Sequence, residues 1–165
     1  MRKLILAVVL ATGLAGAPII ALAANSNANH NTYQWILPGT TAKAPDGSTI
    51  TLVGQGVLSA GPDKMASGGG SFTTSSGSSG QWVATAAQGF VSYGQTPGFP
   101  IPGATGGMAK RKVNLSNGTD GVLTIFCMLG SPPPSVMEGI HLILGAGASG
   151  EYTTQDGGFT LFIAS

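Results

Sequence analysis

The segment Asp120–Leu144, DGVLTIFCMLGSPPPSVMEGIHLIL, constrains the fold more than any other stretch of the chain. Alternate residues of a strand face opposite ways. From Val122 onward one face carries Val122, Thr124, Phe126 and Met128, and the other Leu123, Ile125, Cys127 and Leu129. Both faces are apolar, so the run Val122–Leu129 predicts a strand covered on both sides. Pro132-Pro133-Pro134 then ends it, because proline fixes φ and offers no amide donor to a ladder. The prolines force a stiff, extended crossing to the next apolar run, Met137–Leu144. Recognition of the proline run by a partner is the weaker reading, since PPP lacks the spaced pattern and flanking arginine of such ligands. The same segment holds the only cysteine, one of the two histidines, and Glu138 three residues before His141.

The pattern around this segment is of one kind. Tyr33–Leu37, Thr49–Leu52, Ser71–Thr74, Gln81–Tyr93, Met108–Leu115, Glu151–Thr154 and Phe159–Ile163 are rich in β-formers and bounded by Gly, Pro, Asn or Ser. Pro38-Gly39 reads as the end of the first and Gly89 as a bulge in Gln81–Tyr93. Ser67–Gly80 reads as a glycine-rich stretch around a short strand, with little apolar content to hold it. Asn117-Gly118 is the best hairpin signal, and Thr119-Asp120-Gly121 predicts a loop longer than two residues. The loop Gly94–Gly103 alternates proline with Phe99 and Ile101, which are expected over one end of the fold. No stretch beyond the N-terminal region carries a capped helical period. The expectation is a single antiparallel all-β domain, a β-sandwich or small β-barrel of about eight or nine short strands.

Residues 1–24 read as a cleaved secretory signal peptide: Met1-Arg2-Lys3, an apolar run from Leu4, and Ala21-Leu22-Ala23-Ala24, with cleavage after Ala23 or Ala24. An uncleaved membrane anchor is the rival reading, and Gly13, Gly16 and Pro18 within the run weigh against it. No cysteine lies near the cleavage site to carry a lipid. Residues 25–32 form a polar lead-in and 33–165 the domain. The chain is therefore expected to be secreted, periplasmic or at a cell surface, with no stable membrane anchor after processing. A lone cysteine gives such a domain no internal disulfide, so burial and backbone pairing must hold it.

Without Arg2 and Lys3 the cations are Lys43, Lys64, Lys110, Arg111 and Lys112, against Asp46, Asp63, Asp120, Glu138, Glu151 and Asp156. So few positive charges argue against nucleic acid as a partner. The cluster Lys110-Arg111-Lys112 reads as a solvated strand or an edge strand kept from pairing by charge. Alternation puts Arg111 opposite its two neighbours, and an inward Arg111 beside Glu138 would instead make an anion site or polar pocket. Asn114-Leu115-Ser116 and Asn117-Gly118-Thr119 match the N-glycosylation pattern, which matters only in a cell that has the machinery.

Chemistry-bearing motifs are sparse. There is no HExxH, no cysteine pair at metal spacing and no G-x-S-x-G, which leaves metal ligands, cofactors and a serine nucleophile unsupported. Leu52–Gly56 and Gly68–Gly70 lack the remainder of any nucleotide-binding pattern. Cys127 is expected to be a buried, inert thiol, since its apolar neighbours offer nothing to stabilise a thiolate. Trp35 and Trp82 are expected in the core, not as sugar platforms. Glu138, Arg111 and His141 are the weak catalytic candidates, Glu138 first, because a carboxylate on an apolar face can act as an acid. In a regular strand Glu138 and His141 lie on opposite faces and form no pair, unless Gly139 bulges. The functional expectation is a non-enzymatic ligand-binding or self-associating domain. An apolar small molecule, or a second copy meeting Val122–Leu129, would be its partner. The alternatives are a small barrel enzyme, an isomerase or cyclase acting on an apolar compound, and a structural matrix or coat component.

Overall fold

The computed structural model describes residues 32–61, 64–145 and 150–165. The expected signal peptide (1–24), nearly all of the lead-in, and His30 lie outside them. The regular structure of the described chain is almost entirely antiparallel strand: β1 (Thr32–Lys43), β2 (Thr49–Ser59), β3 (Ala66–Thr74), β4 (Ser79–Gln95), β5 (Ala104–Leu115), β6 (Asp120–Cys127), β7 (Gly139–Leu144), β8 (Glu151–Tyr152), β9 (Thr154–Gly157) and β10 (Leu161–Ala164). All ten belong to one sheet, in the order β10-β1-β2-β3-β4-β5-β6-β7-β8, with β9 pairing β1. Because β10 also pairs β5, the path β1–β2–β3–β4–β5–β10 returns to its start.

Several strands run past the points where the sequence pattern breaks. Pro38-Gly39 does not end β1. Pro38 pairs Val53 and Thr40 pairs Leu52, leaving Gly39 as an extra, bulged residue at φ 132°. The bulge resets the alternation, so Tyr33, Trp35 and Leu37 point inward before it and Thr40 and Ala42 after it. The seventeen-residue β4 also carries register shifts, but the skipped residues are Thr85, Gln88 and Tyr93, and Gly89, expected as the bulge, pairs Lys110.

The glycine run Gly68–Gly70 is paired strand rather than loop, and the reason lies in the core. Along one ladder Leu37 faces Gly54, Gly54 faces Gly70 and Gly70 faces Trp82; along the next Trp35 faces Gly56 and Gly56 faces Gly68. A Cβ at Gly54 would lie 2.7 Å from Trp82 Cζ2, and one at Gly56 would lie 2.5 Å from Trp35 Cζ2. Two indoles thus lie across the bare backbone of neighbouring strands, stacked on each other at 5.5 Å between centroids. The glycines cost strand propensity, and the indoles regain it by covering them. Trp82 Nε1 also donates to the carbonyls of Val53 and Ser71, both at 3.2 Å. Tyr33, Phe90 and Phe162 extend the aromatic core.

The hairpin at Asn117-Gly118 joins β5 to β6 through Ser116–Thr119, a four-residue loop with Gly118 at φ 83°. Asn117 Oδ1 accepts from the Thr119 amide at 3.0 Å, and the Leu115 amide donates to the Thr119 carbonyl at 2.9 Å.

Candidate functional site

β6 ends at Cys127, two residues before its apolar run does. Leu123, Ile125 and Cys127 are buried, while Val122, Thr124, Phe126 and Met128 are half-buried on the other face. Part of that outer face meets the chain itself. Phe126 packs edge-on against His141, at 4.8 Å between centroids, and Met128 turns into a cleft.

That cleft, about 440 Å³, is bounded by Phe99 and Ile101 of the proline-rich loop, by Cys127–Leu129, and by Phe159–Leu161 leading into β10. Phe159 is 58% exposed and Ile101 39%, so large apolar side chains stand at its surface. The loop residues come here because Gly98 and Gly103, both at positive φ, let a chain stiffened by Pro97, Pro100 and Pro102 turn back. Ala104 and Ala164 then anchor it, the first donating to the Ile101 carbonyl and the second to the Gly103 carbonyl.

Glu138 is the one carboxylate among the residues lining the cleft. Its Oε2 accepts from the Met128 amide and its Oε1 from the Thr160 amide, both at 2.6 Å. The Thr160 hydroxyl sits 2.7 Å from Oε1 and 2.6 Å from the Phe126 carbonyl, and its single proton serves one of them at a time. Glu138 therefore ties the end of β6 to the approach to β10, where no ladder joins them. Charge-assisted bonds of this kind are the strong ones. Cys127, beside it, is buried, and burial pushes its thiol pKa up, as expected of an unreactive cysteine.

The three candidate residues do not converge. Arg111 pairs Leu123, which pairs Leu142, and these share the inward face. Lys110 pairs Thr124, which pairs His141, on the outward face. Glu138 precedes β7 and binds at Met128, and Cys127 alone lies about 13 Å along β6 from Leu123. The edge reading of Lys110–Lys112 is overturned, because β5 pairs β4, β6 and β10 and has a partner on either side. The alternation within the cluster holds: Lys110 and Lys112 are exposed and Arg111 is inward. Its neighbour there is not Glu138 but the indole of Trp35, 4.4 Å from the guanidinium carbon to the ring centroid.

His141 lines a second hollow with Phe126, Val136, Met137 and Gln155, and burial lowers its pKa. Among the described residues no cluster of three or more His, Cys, Asp or Glu could hold a metal ion. None of their helices is long and apolar enough to cross a membrane. No family model matches the chain, and neither a curated protein nor a solved structure does.

Proposed function

We propose that the chain is an exported, non-enzymatic β-barrel domain that binds an apolar small molecule in the cleft beneath the proline-rich loop. The cleft carries the reading: its walls are Phe99, Ile101, Met128, Leu129, Phe159 and Leu161. Binding sites are typically concave and largely apolar, with a few polar groups that fix orientation. Glu138 and Thr160 are those groups here. The pairing circuit through β10 favours a barrel over a sandwich, since closure removes the exposed edges that an open sheet must protect. Export rests on the N-terminal sequence pattern, and self-association through the outer face of β6 on its half-buried apolar residues.

The isomerase or cyclase alternative has a carboxylate at an apolar cleft in its favour. The donors already gathered on Glu138 favour the binding reading, because an acid that holds two strands together is poorly placed to shuttle a proton.

Titration with the neutral fluorophore N-phenyl-1-naphthylamine tests the proposal. Saturable enhancement is expected, with Phe159→Asp weakening it about tenfold by placing a charge where apolar area is buried. Absence of saturable binding, or equal affinity in the variant, contradicts it.

A further inference from the structure

Arg111 is 1% exposed, and none of its Nε, Nη1 and Nη2 atoms has a hydrogen-bond partner among the described residues. The buried Nε1 of Trp35, in the ring on which the guanidinium lies, also lacks one. Four nitrogens are thus gathered in one interior region. All of them are donors, since arginine and indole N–H groups accept nothing. The other buried polar residues of the described chain are Thr40, Thr105 and Thr160, and no carboxylate is among them.

A buried charge left without partner or counter-charge is costly, and interiors ordinarily pair it. Stacking on Trp35 recovers a part of that cost. Burial lowers the Arg111 pKa to about 9, which still leaves the side chain protonated at neutral pH.

We propose that Arg111 and Trp35 Nε1 form an internal binding site for a compact monoanion of halide size. The chemistry selects this class. Water brings two hydrogens that would need acceptors of their own, whereas a halide only accepts and also neutralises the charge. The near-complete burial of Arg111 and Trp35 restricts the occupant to a small ion.

The test uses purified protein in sodium gluconate, whose anion is too bulky for this interior, with chloride substituted at constant ionic strength. The wild type is expected to gain roughly 5 °C or more in Tm as chloride saturates the site. Arg111→Met is expected to show no chloride dependence. A wild-type Tm indifferent to chloride overturns the proposal, as does an equal gain in the variant. Should Arg111→Met fail to fold, crystals grown in bromide decide. An anomalous peak within hydrogen-bond distance of the guanidinium supports the site, and its absence there refutes it.

Discussion

Arg111 and Glu138 are both ionisable groups drawn in from the surface, yet the fold treats them in opposite ways. Glu138 stands at the end of β6 and collects the amides of Met128 and Thr160 with a hydroxyl besides. Arg111 stands in the middle of β5, over Trp35, and collects no acceptor among the described residues. The contrast separates two uses of charge. A carboxylate saturated by backbone donors replaces missing ladder bonds and ties strands together. A guanidinium surrounded by rings and hydrocarbon contributes nothing to pairing and creates a demand for something outside the chain.

The two surroundings differ as sharply in packing. Beside Arg111, the indoles lie over Gly54 and Gly56, and the region is closed to solvent. Around Glu138 the walls open into a cleft. Truncation should therefore be most damaging at the closed end. Trp82→Ala removes a buried ring, the hydrogen bond its one N–H shares between Val53 and Ser71, and the cover over Gly54. It is expected to cost about 3–5 kcal/mol, read as a lowered midpoint in urea unfolding. A cost below about 1 kcal/mol would mean that the indoles are not what keeps those glycines extended.

The same contrast explains what could be read from the residues alone. Tyr33–Leu37 and Thr49–Leu52 alternate within themselves and appear as strands, and the Asn117-Gly118 hairpin follows from local φ requirements. The continuation of β2 through Gly54 and Gly56, and of β3 through Gly68–Gly70, is not local. In β2 it depends on tryptophans from other strands and in β3 on close backbone approach by its neighbours, and to a short sequence window those glycines look like breaks. The inward direction of Arg111 follows from its place between two lysines. That β5 is central depends on pairings with β4, β6 and β10, which no pattern within Lys110–Lys112 encodes. Glu138 escapes a face-by-face reading because Gly139, at φ 136°, starts β7 just after it. The apolar cleft is half legible: Phe99 and Ile101 stand out within their prolines, but their meeting with Phe159 requires the fold.

His141 offers a third, milder case, partly buried and facing only the Phe126 ring among its ring contacts. Its pKa in the folded chain lies below the ordinary 6.5 because burial disfavours the charged ring. The unfolded chain then takes up the proton first, so this contribution to stability is present above pH 6.5 and lost as pH falls toward the folded value. Thermal unfolding from pH 7.5 to 5 is expected to show a small decline that His141→Gln reduces. An identical decline in the variant would assign it to the carboxylates instead.

The most direct measurement is a side-by-side thermal unfolding of Arg111→Met and Glu138→Gln at pH 7 in chloride-free buffer. Removing an uncompensated charge should raise Tm by several degrees, because methionine fills much of the volume without the burial cost. Removing a carboxylate whose two oxygens serve two backbone amides should lower it, since the glutamine amide nitrogen cannot accept from either. Shifts of opposite sign are the predicted result. Destabilisation by both substitutions would contradict the account, because Arg111 would then be satisfied within the folded chain after all.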